Sequence, residues 1–92
     1  MTIGELRNMD SPMNLDSEHL KALWYDLHDD WDRAHQIVQS MYDAEAEWIH
    51  AYLHRKEPDM ANAKYWYRRC GRPYPGDRGF DDEASVILSE LI

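Results

Sequence analysis

The sequence predicts an all-α fold, a compact bundle of four to five short helices built from antiparallel hairpins with no β-sheet. Three observations predict it. Apolar residues recur at spacings of three and four along most of the chain, which marks one buried face per helix. The runs open on Ser or Asp, whose side chains accept from the free N–H groups of a first turn. No stretch alternates apolar and polar residues as a half-buried strand does.

Residues 1–15 form an N-terminal arm, partly irregular, because Gly4, Asn8, Ser11, Pro12 and Asn14 interrupt it. A helical turn is expected over residues 3–9. Residues 16–92 form a single helical domain. Its first helix starts at Asp16 or Ser17 and ends near Asp29, with Leu20, Leu23, Trp24 and Leu27 on one face. The second covers about 30–42, with Trp31, Ala34, Ile37, Val38 and Met41 as its apolar stripe and His35 at the stripe's edge. The third runs from Asp43 or Ala44 to Lys56, its core face made of Ala46, Ile49, Tyr52 and Leu53 and flanked by Trp48. Pro58 closes it, since the residue before proline avoids the α region.

Asp59 caps a fourth helix over 60–70, on which Met60, Ala63, Trp66, Tyr67 and Cys70 share a face. Gly71 suits the position just past its end, and Pro73 follows. Residues 71–80, GRPYPGDRGF, are a loop. Asp81 or Asp82 opens a last short helix whose Ala84, Ile87, Leu88, Leu91 and Ile92 should dock on the bundle. Links of a few residues between consecutive helices make antiparallel neighbours.

Charge narrows the function. The 92 residues carry a net −8. That opposes sequence-independent nucleic-acid binding and adsorption to anionic membranes, both of which need a positive field. The charge is uneven: Lys21 is the one Lys or Arg between Asp10 and Asp32, whereas Arg55, Lys56, Lys64, Arg68, Arg69, Arg72 and Arg78 cluster later. A single Cys70 rules out an internal disulfide. The first residues have neither the basic nor the apolar region of a signal peptide. No apolar run approaches the roughly 20 residues that span a bilayer. A cytoplasmic location is expected.

The stretch 46–71 resembles one helical hairpin of the Sel1-like branch of tetratricopeptide-type repeats. Asp59, Ala63 and Trp66-Tyr67-Arg68-Arg69-Cys70-Gly71 carry the likeness, with Cys70 where that pattern has Ala. Tyr52 and Leu53 fit its first helix, whose characteristic glycines are missing, and no second copy occurs in the chain. The strings Trp48–Glu57 and Asn62–Arg69, with Trp31, Ala34 and His35, also resemble a family of small bacterial helical proteins with no assigned activity. The repeat resemblance implies a protein partner.

Three constellations could carry chemistry. Glu47, His50 and His54 share a face of the third helix, His35 can reach them from the second, and Glu47 or Glu57 could add an oxygen ligand. Histidines four apart can share a metal such as Zn²⁺. The general-base glutamate of the HExxH motif is absent, because Ala51 follows His50. In projection His50 and His54 lie far from the Ile49/Leu53 stripe, which leaves them either as exposed side chains or as partners in hydrogen bonds across a hairpin. The second constellation is Arg55, Tyr65, Arg68 and Arg69 beside Trp48, an anion or acidic-peptide cleft if the arginines are free. The simpler alternative pairs those arginines with the protein's own carboxylates. The third is the acidic run Asp29, Asp30 and Asp32, better explained by helix capping than by a calcium loop. Cys70 falls on an apolar face, as an inert thiol does.

These features favour a non-enzymatic protein-interaction module that uses Trp48, Arg55, Tyr65, Arg68 and Arg69 within 43–71 to hold a protein, an acidic peptide segment or a second copy. Trp, Tyr and Arg are the residues enriched at interface hot spots. No cofactor is then required. The alternative is a metal- or ligand-binding protein, enzymatic or not, with a site at His35, Glu47, His50 and His54, taking Zn²⁺ or another divalent metal. A third reading has the histidines and aromatic groups satisfy one another inside a tight bundle with no ligand.

Overall fold

Five helices begin where a side-chain oxygen takes a free backbone N–H: Thr2, Ser17, Asp30, Asp43 and Asp59 each accept from the residue three positions on. Each such cap contributes about 1 kcal/mol. The computed structural model describes residues 1–92 and has six helices and no strand. They are α1 (Ile3–Asn8), α2 (Glu18–Leu27), α3 (Trp31–Val38), α4 (Ala44–Lys56), α5 (Met60–Cys70) and α6 (Phe80–Leu91).

The all-α prediction holds, with one helix more than expected. The turn at the N-terminus is a complete short helix, closed by a capping box between Thr2 and Glu5. α3 is shorter than predicted and stops at Val38. The chain must leave the helix there to reach Asp43, which caps α4 from an extended conformation, ψ 159°. α5 ends as its sequence predicts, on Gly71 with φ 77°.

α4 is the axis of the molecule. It packs against α5, α3, α2 and α6, so every residue from Ala46 to Arg55 is buried. α4 and α5 form an antiparallel hairpin, since Glu47 near the start of α4 meets Arg69 near the end of α5. The N-terminal arm belongs to the same core: Leu6 and Leu15 are buried in it, and the Trp24 indole donates to the Met9 carbonyl. Ile92, expected on the apolar face of the last helix, is exposed beyond its end.

Two buried carboxylates tie the helices together. Asp26 of α2 accepts from the Tyr52 hydroxyl at 2.6 Å and from Lys56 Nζ at 2.9 Å. Glu83 of α6 accepts from the Tyr67 hydroxyl at 2.6 Å, the Trp48 indole at 3.1 Å and Arg55 Nε at 3.0 Å. Burial and the neighbouring carboxylate push both tyrosines well above the usual phenol range, so they remain donors at any ordinary pH. A chain rich in Trp and Tyr must find acceptors for their polar edges when it buries the rings, and Asp26 and Glu83 are those acceptors.

Candidate metal centre

α3 and α4 bring His35, His50 and His54 together. The three imidazoles each offer a nitrogen, and these nitrogens lie within 4.8 Å of one another. His35 Nε2 and His50 Nε2 are 3.1 Å apart. A tetrahedral ion with bonds of 2.0–2.1 Å sets its nitrogens roughly 3.3 Å apart. The first pair already has nearly that spacing, and side-chain adjustment of up to about 1.5 Å closes the set.

The sequence pattern explains the convergence. His50 and His54 are one turn apart on α4, and α3 lies across that face with His35 in its last turn. Of the two readings that projection left for His50 and His54, exposure is excluded: both are buried, because α3 and α5 cover the face opposite the Ile49/Leu53 stripe, and His50 meets His35 of the neighbouring helix.

Aromatic rings enclose the cluster. Trp31 stacks on His35 with centroids 4.7 Å apart, and Trp66 stacks on His50 at 4.0 Å. The Trp31 indole is itself fixed by a 2.7 Å hydrogen bond to the Leu53 carbonyl. His35 stays half-exposed, so the site opens on its side. Neither surface cavity of the molecule is lined by these histidines. The enclosure therefore suits a single ion better than an organic ligand.

The electrostatics favour the ligand form of the rings. Burial, and then the proximity of His35 and His54, hold His50 neutral with its pKa pushed down to about 3. Burial and His54 also lower His35. A metal needs the neutral imidazole, so no proton has to leave His50 at neutral pH. One feature works against the site: His50 Nδ1 is buried without a hydrogen-bond partner. With Nε2 on an ion, Nδ1 would carry the proton, and a buried donor left without a partner costs about 1–3 kcal/mol. Structural Zn²⁺ sites in zinc-finger peptides bind with about 10–16 kcal/mol, so that cost does not exclude an ion.

Glu47 is not part of the cluster. Its carboxylate is engaged one turn away along the α5-facing side of α4, where Arg69 Nε donates to it at 2.9 Å. Glu57 is the carboxylate at the site: His54 Nδ1 lies 2.7 Å from its Oε1.

The expected Trp48, Arg55, Tyr65, Arg68 and Arg69 surface is divided by the fold. Trp48 and Arg55 are buried against Glu83, and Arg55 also donates to the Arg78 carbonyl at 2.8 Å. Tyr65, Arg68 and Arg69 are exposed on α5. Arg69 is tied to Glu47 and to the Tyr65 hydroxyl. Arg72 lies 3.7 Å over the Trp48 ring and pairs with Glu90. Most of the basic cluster thus pairs with the protein's own groups. In the acidic run, Asp30 caps α3 and pairs with Arg33, as capping predicts. Cys70 is half-buried, and burial raises its thiol pKa.

Sequence reasoning placed Trp66 in the core and did not connect it with His50. The available signal was that α4 and α5 pair antiparallel about a short link, which sets position 66 opposite position 50. No protein-family model, curated protein or solved structure matches this chain.

Proposed function

We propose that this protein binds one divalent transition-metal ion through His35, His50 and His54. The observation that carries the reading is the convergence of three imidazole nitrogens from two helices within 4.8 Å, enclosed by Trp31 and Trp66. An all-nitrogen set is borderline in softness and suits Zn²⁺, Cu²⁺, Ni²⁺ or Co²⁺, whereas Mg²⁺ and Ca²⁺ take oxygen ligands. Three protein ligands would leave a fourth position on the ion for water. A bound ion would cross-link α3 to α4, adding to the His35–His50 contact and the Trp31–Leu53 hydrogen bond that already join them.

This reading ranks above the protein-binding one on geometry. The metal ligands converge, whereas the five residues of the expected interaction face do not share a surface.

The test uses protein purified without an affinity tag and stripped with a chelator. Zn²⁺ at 100 times its Kd should stabilise the fold by about 2.7 kcal/mol. For a domain of this size that raises Tm by on the order of 10–20 °C. Cu²⁺ should quench the Trp31 and Trp66 fluorescence in a stoichiometric titration, and Mg²⁺ should do neither. His35→Ala and His54→Ala should remove both responses. A wild-type Tm that none of the four transition metals changes would overturn the reading.

A further inference from the structure

We propose that Glu57 is a positioning residue for this centre: it holds His54 in the tautomer that presents Nε2 to the ion. The inference rests on the metal-binding reading above and adds a residue outside the ligand set.

A carboxylate only accepts hydrogen bonds. The His54 nitrogen 2.7 Å from Glu57 Oε1 is Nδ1, so Nδ1 carries the proton. In the neutral ring the lone pair is then on Nε2. His54 is the one histidine of the three with a carboxylate hydrogen-bonded to its ring. His35 and His50 face each other through Nε2 at 3.1 Å, which requires one of them to be protonated there. Their tautomers must rearrange when an ion arrives, whereas His54 is already set. A carboxylate behind a ligating imidazole also raises its basicity, and such partners typically contribute 10–100-fold to metal affinity.

Glu57 makes no side-chain hydrogen bond in the fold beyond accepting from the buried His54 Nδ1–H. It is the C-cap residue of α4 and is exposed. The helix dipole disfavours a negative charge at that end. Its backbone N–H, not its side chain, closes the helix on the Leu53 carbonyl. A separate ion held by His54, Glu57 and Asp59, whose polar atoms also lie within 4.8 Å, is disfavoured by two facts. The Nδ1 atom is a donor, and both Asp59 oxygens are engaged by Asn62 at the start of α5, at 3.3 and 3.0 Å.

The experiment compares Zn²⁺ affinity, by chelator competition, in wild type, Glu57→Ala and Glu57→Gln. Co²⁺ absorption reports the ligand field, and metal-free unfolding midpoints are measured in parallel. Glu57→Ala should weaken Zn²⁺ binding 10–100-fold. Glu57→Gln should stay within a few-fold of wild type, because the amide oxygen accepts the same hydrogen bond. The metal-free midpoint of Glu57→Ala should fall modestly, because a buried His54 N–H loses its acceptor, while that of Glu57→Gln should match wild type. A purely structural role would leave the Co²⁺ spectrum of the folded Ala variant unchanged. Wild-type affinity in Glu57→Ala would overturn the positioning role and leave the metal reading standing. Equal losses in the Ala and Gln variants would also overturn it, since charge and not the hydrogen bond would then be responsible. Failure of wild type itself to bind Zn²⁺ or Co²⁺ would overturn both.

Discussion

His50 makes the metal-free protein acid-sensitive in a window that the structure defines. Its folded-state pKa is pushed down to about 3, first by burial and then by His35 and His54. In the unfolded chain a histidine titrates near 6.5. Between those values the unfolded state takes up a proton that the folded state refuses. Stability therefore falls as pH falls, beginning at about 6.5 and ending near the folded pKa. Below 6.5 the slope tends to about 1.36 kcal/mol per pH unit for this one group. From pH 8 to pH 5 the loss from His50 is about 2 kcal/mol, a figure that holds for any folded pKa well below 5. The lowered pKa of His35 adds loss of the same sign. The assay is urea unfolding at pH 8, 7, 6 and 5 with a chelator present, in wild type and in His50→Phe. Phe keeps a ring against Trp66 and cannot titrate; His50→Gln serves if the larger ring does not pack. The variant is expected to lose about 2 kcal/mol less than wild type over this range. Parallel stability curves for wild type and both variants would refute the reasoning, because a neutral buried His50 requires them to diverge.

Other predictions follow from the same contacts. Arg55→Met leaves the Glu83 carboxylate buried without its cation and should cost about 3–5 kcal/mol, read by chemical denaturation; a loss under 1 kcal/mol would show that the pair matters little. Gly71→Ala places a Cβ in open space but at φ 77°, so the cost should be backbone strain alone, about 1–2 kcal/mol in unfolding free energy. Tyr65→Ala with Arg68→Ala, both on the exposed face of α5, should change stability by no more than about 0.5 kcal/mol and leave Zn²⁺ affinity unaltered. A several-fold change in Zn²⁺ binding by that pair would place the ion nearer α5 than the histidine cluster does.

Local sequence determined most of the secondary structure. Caps act within a few residues, so Ser17, Asp43 and Asp59 mark the starts of α2, α4 and α5 wherever the helices later pack. The glycine that ends α5 is equally local, since a left-handed φ excludes most other residues. The 3.6-residue period likewise made Ile49, Leu53, Ala63 and Tyr67 legible as core. It also showed that His50 and His54 share a face, and that His35 lies on the preceding helix.

Helical projection assumes one buried stripe, and that assumption fails for α4. Four helices surround it, so the face opposite its Ile49/Leu53 stripe is interior, His50 and His54 are buried there, and His50 is kept neutral. The same packing took Trp48 and Arg55 off the surface and gave them to Glu83, a residue 28 positions from Arg55. No periodicity encodes such a pairing. The choice between Glu47 and Glu57 was also tertiary. Both share the histidines' stretch of chain, but Glu47 is engaged by Arg69 of α5, whereas Glu57 is hydrogen-bonded to the His54 ring. The amino-acid sequence by itself determined the helices and supplied three histidines. Which of their faces met, and hence whether those histidines formed a cluster, was decided by the packing of α3 and α5 around α4.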